Sequence, residues 1–362
     1  MDFLRFEQTH TPPATHGALD FAELERLGLS AESVLDFSVN SNPFGPSPAV
    51  RAAVAATPLD RYPDRESLSL RRALAERLKI LPQQIVIGNG TAELIWLTAF
   101  ASLKAGDEVL ILGPTFGEYQ RAVDLMAATS QHWNALPAAG FAFDVPEITR
   151  ILDSVQFRAV FLCNPNNPTG QVLPNAAIYA WAEAHPQTLF IVDEAYLAFV
   201  PGMESVLSTG RANLLVLRSM TKDYALAGLR LGYAAGDERL IQALTSVRPA
   251  WNVNALAQAA GMATLTDEAH QQATLAQLQQ EKHFLLNGLR DLGFTPVTSQ
   301  AQFFLVPVPA GNATVFRQSL LPQGILVRDC ASFGLPNHIR ISPRTRDENL
   351  RLLEALKHVR PV

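Results

Sequence analysis

Cysteine is almost missing: the 362 residues contain two, Cys163 and Cys330, far apart in the chain. Two such residues make neither a disulfide framework nor a cysteine-ligated zinc cluster, and they suit a reducing compartment. Charge is sparse too, at 17% Asp, Glu, Lys and Arg with a net charge of −5. That balance supplies no general basic field for nucleic acid or an anionic membrane, while leaving room for a local basic pocket. No apolar run approaches the roughly 18 residues that span a bilayer. The start, Met1-Asp2-Phe3-Leu4-Arg5-Phe6-Glu7, has acids where a secretory signal has bases. We find no internal repeat, no low-complexity tract and no metal-ligand cluster. The expectation is a soluble, cytoplasmic protein without nucleic-acid or membrane partners.

What is present is core-forming material. Hydrophobic residues are 48% and aromatics 8%, which excludes disorder for most of the chain. The length suits two domains. Residues 1–45 read as an arm with one helix, 21–27, ending in the turn-rich Asn40-Ser41-Asn42-Pro43-Phe44-Gly45-Pro46. Short apolar runs at 84–87, 108–112, 158–162, 189–192, 213–217 and 230–234 read as buried strands. Helical stretches such as 91–103, 116–128 and 174–183 lie between most of them. This alternation predicts a mostly parallel sheet covered by helices. Residues 254–292 read as helix with a break near Asp267. Short strands at 303–306, 325–328 and 338–341 and a helix over 347–358 follow, an α+β pattern. The division expected is an arm to residue 45, a large domain over 46–270 and a small domain over 271–362.

Four segments carry chemistry. Leu189-Phe190-Ile191-Val192-Asp193-Glu194-Ala195-Tyr196 ends an apolar run in two acids, where parallel sheets bind ligands; a helix-capping Asp is the plainer explanation. Asn164-Pro165-Asn166-Asn167-Pro168-Thr169-Gly170 follows a second run, though as a bare turn it needs no function. Ser219-Met220-Thr221-Lys222 follows a third. A lysine held there is placed for covalent chemistry with a carbonyl, whereas most lysines are solvated. Gly88-Asn89-Gly90-Thr91-Ala92-Glu93 offers free N–H groups at a helix start, an anion cradle, without the GK[ST] of a Walker loop.

Together, in this order and spacing, these segments resemble the aminotransferase class I/II family, pyridoxal-phosphate (PLP) enzymes of fold type I. The resemblance runs from about Asp36 to the C-terminus. It implies an α/β large domain with a mostly parallel seven-stranded sheet between helices, and a smaller α+β domain from the arm and the C-terminal third. It implies PLP as cofactor. Lys222 resembles the lysine that holds PLP covalently and shuttles the proton, and Asp193 the acid that pairs with the pyridine N–H. Tyr196 and Asn167 resemble the pair on the phenolic oxygen. Gly90, Thr91 and Ala92 resemble the phosphate loop, with Ser219 and Arg230 as further phosphate ligands. Phe116 resembles the aromatic stacked on the ring; many relatives carry Tyr there, and Phe keeps the stacking without the hydroxyl. Tyr62 resembles the tyrosine that reaches the phosphate of the neighbouring subunit, which implies a homodimer with shared sites. Arg340, in His338-Ile339-Arg340-Ile341-Ser342, resembles the substrate-carboxylate arginine; without the resemblance it reads as a surface arginine on an edge strand.

Asp36-Phe37-Ser38-Val39-Asn40, Arg248-Pro249-Ala250-Trp251 and Gly324-Ile325-Leu326-Val327-Arg328-Asp329-Cys330 resemble the branch of histidinol-phosphate aminotransferases and threonine-phosphate decarboxylases. There Arg328 becomes a second anion-gripping arginine, and His16 and Asn40 help bind a substrate phosphate. The decarboxylase pattern His-Gly-Gly-Asn is His16-Gly17-Ala18-Leu19 here, which favours the aminotransferase reading. Its expected reaction moves an amino group between a small, phosphorylated amine such as histidinol phosphate and 2-oxoglutarate. The alternatives are the decarboxylase and, remotely, a PLP-binding sensor half of a transcription regulator. The last lacks any helix-turn-helix or basic stretch.

Overall fold

The computed structural model describes residues 16–207 and 211–359; the first fifteen residues of the expected arm lie outside them. A seven-stranded sheet forms the centre. Its strands are β1 (Ile85–Gly88), β2 (Glu108–Gly113), β3 (Thr129–Asn134), β4 (Ala159–Cys163), β5 (Leu189–Asp193), β6 (Leu214–Ser219) and β7 (Gly232–Gly236). Their order is β1-β7-β6-β5-β4-β2-β3. β7 runs antiparallel to both neighbours, and the other contacts are parallel.

Strand alternation divides the apolar residues between two faces. Val109, Ile111, Phe161 and Ile191 join a cluster with Leu94 and Ile95 of helix Gly90–Ser102 and Val123 of helix Glu118–Leu125. Leu110, Leu112, Val160, Leu162, Phe190 and Val192 pack on the other face against Ile148, Leu152, Ile178 and Trp181. Helices therefore cover both faces, as the apolar runs require.

Beyond the sheet, helices Ala255–Thr266 and Glu268–Asp291 meet at Asp267, which ends one and caps the next by accepting from the His270 N–H. Leu278 of the long helix packs into the sheet core, and Leu285 and Leu289 pack into a third cluster. That cluster covers an antiparallel sheet of β8 (Phe304–Pro307), β9 (Arg328–Asp329) and β10 (His338–Ile341), ordered β9-β10-β8. A two-residue parallel ladder, Leu35–Asp36 with Ile325–Leu326, ties the N-terminal segment to this part.

Four expectations need correction. Helix 116–128 is shorter, Glu118–Leu125, and leads into β3, a strand absent from the sequence reading. β3 is an edge strand of sequence TSQHWN with only Trp133 buried, so it offers no apolar run. The run 230–234 begins its strand at Gly232, because Arg230 takes a left-handed turn at φ 59°. The run 325–328 is two strands in different sheets. Arg340 lies on the central strand of its sheet and is 4% exposed, so it is no edge-strand surface arginine.

Candidate active site

The parallel strands end on one edge of the sheet, so the loops after β1, β2, β4, β5 and β6 converge there with the turn before β7. They surround a cavity of about 680 Å³. Among the described residues its lining holds four cationic side chains, Lys222, Arg230, Arg328 and Arg340, and no carboxylate.

Lys222 stands three residues past β6. Burial, with Arg340 and Arg230 nearby, pulls its amine down to about 8 against the opposing pull of Asp193. Its carbonyl accepts from the Asn42 N–H at 2.8 Å. Asp193 closes β5 and is 3% exposed. Its Oδ2 accepts from the Tyr119 hydroxyl at 2.8 Å and its Oδ1 from the Ala195 N–H at 3.0 Å. Burial pushes its carboxyl up to about 6, although the Tyr119 hydrogen bond works the other way. Asp193 thus turns a short loop and caps no helix.

Tyr196 follows the same strand. Its hydroxyl accepts from Asn40 Nδ2 at 3.2 Å, which leaves its own proton free to donate. Burial pushes it up to about 12, so it stays protonated. The Asn-rich turn after β4 divides its duties. Asn164 exchanges two hydrogen bonds with Leu173, and Asn166 binds Thr115, Thr169 and the Pro114 carbonyl. Only Asn167 lines the cavity, its Oδ1 accepting from Arg340 Nη1, so its amide N–H groups remain available.

At one end of the cavity, Gly90, Thr91 and Ala92 form the first helical turn, whose N–H groups have no helical partner. Glu93 holds the loop by accepting from the Asn89 N–H at 2.6 Å and Asn252 Nδ2 at 2.7 Å. Gly90 has φ +80°, and a Cβ there would lie 2.6 Å from Arg230 Nη2, so the loop and Arg230 meet in close contact. Ser219 shares a 2.7 Å hydrogen bond with Thr221. At the other end, Arg328 and Arg340 are direct cross-strand partners in β9 and β10, which puts both on one face. Arg340 Nη2 donates to the Ser38 carbonyl at 2.5 Å, while its Nε is buried without a partner. Arg328 is pulled down to about 10 by burial and by Arg340. Phe116 lines one wall, edge-on to Tyr119, with His16 against it at 5.3 Å.

Of the residues the sequence singled out, His16, Asn40, Ala92, Phe116, Asn167, Tyr196, Lys222, Arg230, Arg328 and Arg340 line the cavity, while Asp193, Gly90, Thr91 and Ser219 are not part of its lining and Tyr62 is 79% exposed and packs on Trp251. The structure adds Tyr119, Glu118, Ser38 and Thr221.

A model of the family described as aminotransferase class I and II matches residues 32–356. A histidinol-phosphate aminotransferase of Symbiobacterium thermophilum is 37% identical over 334 residues, 91% of each chain. The crystal structure of a histidinol-phosphate aminotransferase from Sinorhizobium meliloti, in complex with pyridoxal-5'-phosphate, is similar with TM-score 0.84, 25% identity and 93% of each chain covered. An L-threonine-O-3-phosphate decarboxylase from Porphyromonas gingivalis matches with TM-score 0.78 and 26% identity, over 89% of this chain and 98% of that one. PLP suits the cavity. An amine with a depressed pKa, a buried carboxylate, a hydroxyl kept protonated and a glycine cradle beside an arginine match its aldehyde, ring nitrogen, phenolic oxygen and phosphate. The cavity wall, the family match and the relatives agree that this chain belongs to the aminotransferase class I and II family and is a PLP-dependent aminotransferase.

Proposed function

We propose that the chain transfers an amino group between a small phosphorylated amine of the histidinol-phosphate type and 2-oxoglutarate. The observation that carries this reading is the cavity's charge: among the described residues four cations line it and no carboxylate does. Arg230 and the helix N-terminus serve one phosphate, and the Arg328–Arg340 pair, side by side on the wall of the same cavity, serves a second anion. A bidentate fork suits a phosphate or a carboxylate, so the same pair serves the phosphorylated amine and then the dicarboxylate.

When bound, PLP supplies an electron sink for the carbanion formed at the substrate Cα. The residues divide the remaining work. Lys222 would hold the cofactor aldehyde through its amine and, with that amine freed when the substrate's own amine takes its place, would accept the Cα proton. Asp193 keeps the ring nitrogen protonated. Tyr196 and Asn167 donate to the phenolic oxygen, and Phe116 stacks on the ring. Gly90, Thr91, Ala92, Ser219 and Arg230 hold the phosphate. Arg340, Arg328, Asn40 and His16 orient the substrate. We also place the protein in the cytoplasm as a homodimer in which Tyr62 completes the neighbour's site, with a domain division at residues 45 and 270.

Decarboxylation of threonine phosphate is the second reading, favoured by the position of His16 beside Arg328 at the cavity. An amine without a carboxylate loses only its Cα proton. An amino acid held by its phosphate instead presents its carboxylate for loss. The enzyme is therefore incubated with histidinol phosphate plus 2-oxoglutarate, and separately with O-phospho-L-threonine alone. Glutamate without CO2 is the expected result; CO2 from phosphothreonine without any keto acid would overturn it.

A further inference from the structure

Residues 16–18 cross the cavity wall, and one carboxylate outside the cofactor constellation grips them. Glu118, 8% exposed, opens helix Glu118–Leu125. Its Oε1 pairs with His16 Nε2 at 2.8 Å, and its Oε2 accepts from the Trp96 indole N–H at 2.8 Å. Both oxygens are thus engaged, and the His16 hydrogen bond holds the carboxyl below its ordinary range. Trp96 fixes the carboxylate from the helix beneath, so His16 meets a rigid acceptor.

The strap reaches both arginines. The His16 carbonyl accepts from Arg328 Nη1 at 3.3 Å. The Ala18 N–H donates to Ser38 Oγ at 2.9 Å, and the carbonyl of the same Ser38 accepts from Arg340. Gly17 lies so close that a Cβ would be 2.5 Å from the Ser38 oxygen. The His16 ring meanwhile rests against Phe116, two residues before Glu118. One short segment, 116–119, therefore supplies a cavity wall, the strap's anchor and, through Tyr119, a donor to Asp193.

We propose that Glu118 is a positioning residue: through His16 it holds the strap of residues 16–18 against Arg328 and Ser38, and so sets how tightly the arginine pair takes a substrate anion. The hydrogen bond itself does not depend on which amine is the substrate, so its test is structural first and kinetic second. In the PLP-loaded enzyme, hydrogen exchange of the Ala18 amide reports strap release, because that N–H is bonded to Ser38 in the closed arrangement. Glu118→Ala is expected to speed this exchange roughly five- to tenfold, as loss of a charge-assisted hydrogen bond should. His16→Ala should do the same, and the double variant should be no faster than either single one. Glu118→Gln, which keeps an acceptor, should recover part of the protection. Amides of Ala122 and Val123 should stay protected in all of them. KM for the amine should rise with strap release while kcat falls by less than about twofold, the signature of lost ground-state binding. Unchanged Ala18 exchange, additive effects of the two substitutions, or equal loss of protection at Ala122 and Val123 would each overturn the proposal; the last would mean that Glu118 merely caps its helix. If no phosphorylated amine is turned over, the substrate reading fails while the exchange data still decide the strap.

Discussion

A carboxylate buried beside Tyr119 and Cys163 takes up its proton more readily than one in water, because the charged form loses hydration. Asp193 feels that pressure and is pushed up to about 6. The fully buried Tyr119 opposes it, donating at 2.8 Å to the charged form. The sign follows directly. With a raised pKa, Asp193 of the cofactor-free protein is charged above about 6 and neutral below it, so an incoming ring nitrogen meets a charged partner above that value and a neutral one below it. Tyr119→Phe removes a stabiliser of the charged form and raises the pKa further. The pH at which half the PLP is released should then move up by about one pH unit, as expected for roughly 1.4 kcal/mol of lost hydrogen bonding. Absorbance of bound cofactor against pH measures it, and superimposed curves for the two proteins would remove Tyr119 from this function. Tyr119 escaped the sequence reading because a tyrosine three positions past an aromatic looks like any core residue. Lys222 and Asp193 were legible because four segments in family order and spacing fixed them together; position near a strand end alone left a solvated lysine and a capping aspartate as the plainer readings.

Elements with a uniform environment announced themselves. Helix Phe21–Leu27 and strand His338–Ile341 match their expected bounds, the first set by Asp20 as cap, the second by Ile339 and Ile341 facing the core. The edge strand β3 did not, since a strand solvated along most of its length needs no alternation of apolar side chains. The split of 325–328 was hidden for a different reason: Ile325, Leu326 and Val327 are all buried, so the run looks continuous while its hydrogen-bonding partners change. The start of helix Gly90–Ser102 shows how much a single backbone position carries. Gly90 sits at φ +80° with Arg230 against it. Gly90→Ala imposes a left-handed alanine and pushes the guanidinium away. It should cost about 1–2 kcal/mol of stability and weaken PLP binding roughly tenfold by displacing a charge-assisted contact. Urea unfolding of the cofactor-free protein and a PLP titration read the two effects separately. Intact PLP affinity would show that Arg230 is not held by this loop.

At the scale of the whole molecule, the monomer leaves one expected ligand stranded. Tyr62 and Trp251 pack ring on ring at 4.8 Å, 79% and 48% exposed, with Leu59 nearby in sequence at 82%. Large apolar groups gathered at a surface are a cost to a lone chain and an asset at an interface. The cavity, meanwhile, is ringed by its own chain on every side that the strands supply, yet Tyr62 is not part of its wall. Both facts are explained together if a second copy brings its Tyr62 to the phosphate end. Mixing two inactive variants distinguishes that arrangement from any other. Lys222→Ala destroys the site of the subunit that carries it; Tyr62→Ala, on the shared-site reading, damages the site of its neighbour. In a hybrid dimer the subunit with Tyr62→Ala keeps Lys222 and receives an intact Tyr62 from its partner, so one site is whole. Refolding the two variants together should therefore restore PLP affinity and turnover that neither shows alone. If Tyr62 served its own chain, each hybrid site would lack one of the two residues, and mixing would restore nothing.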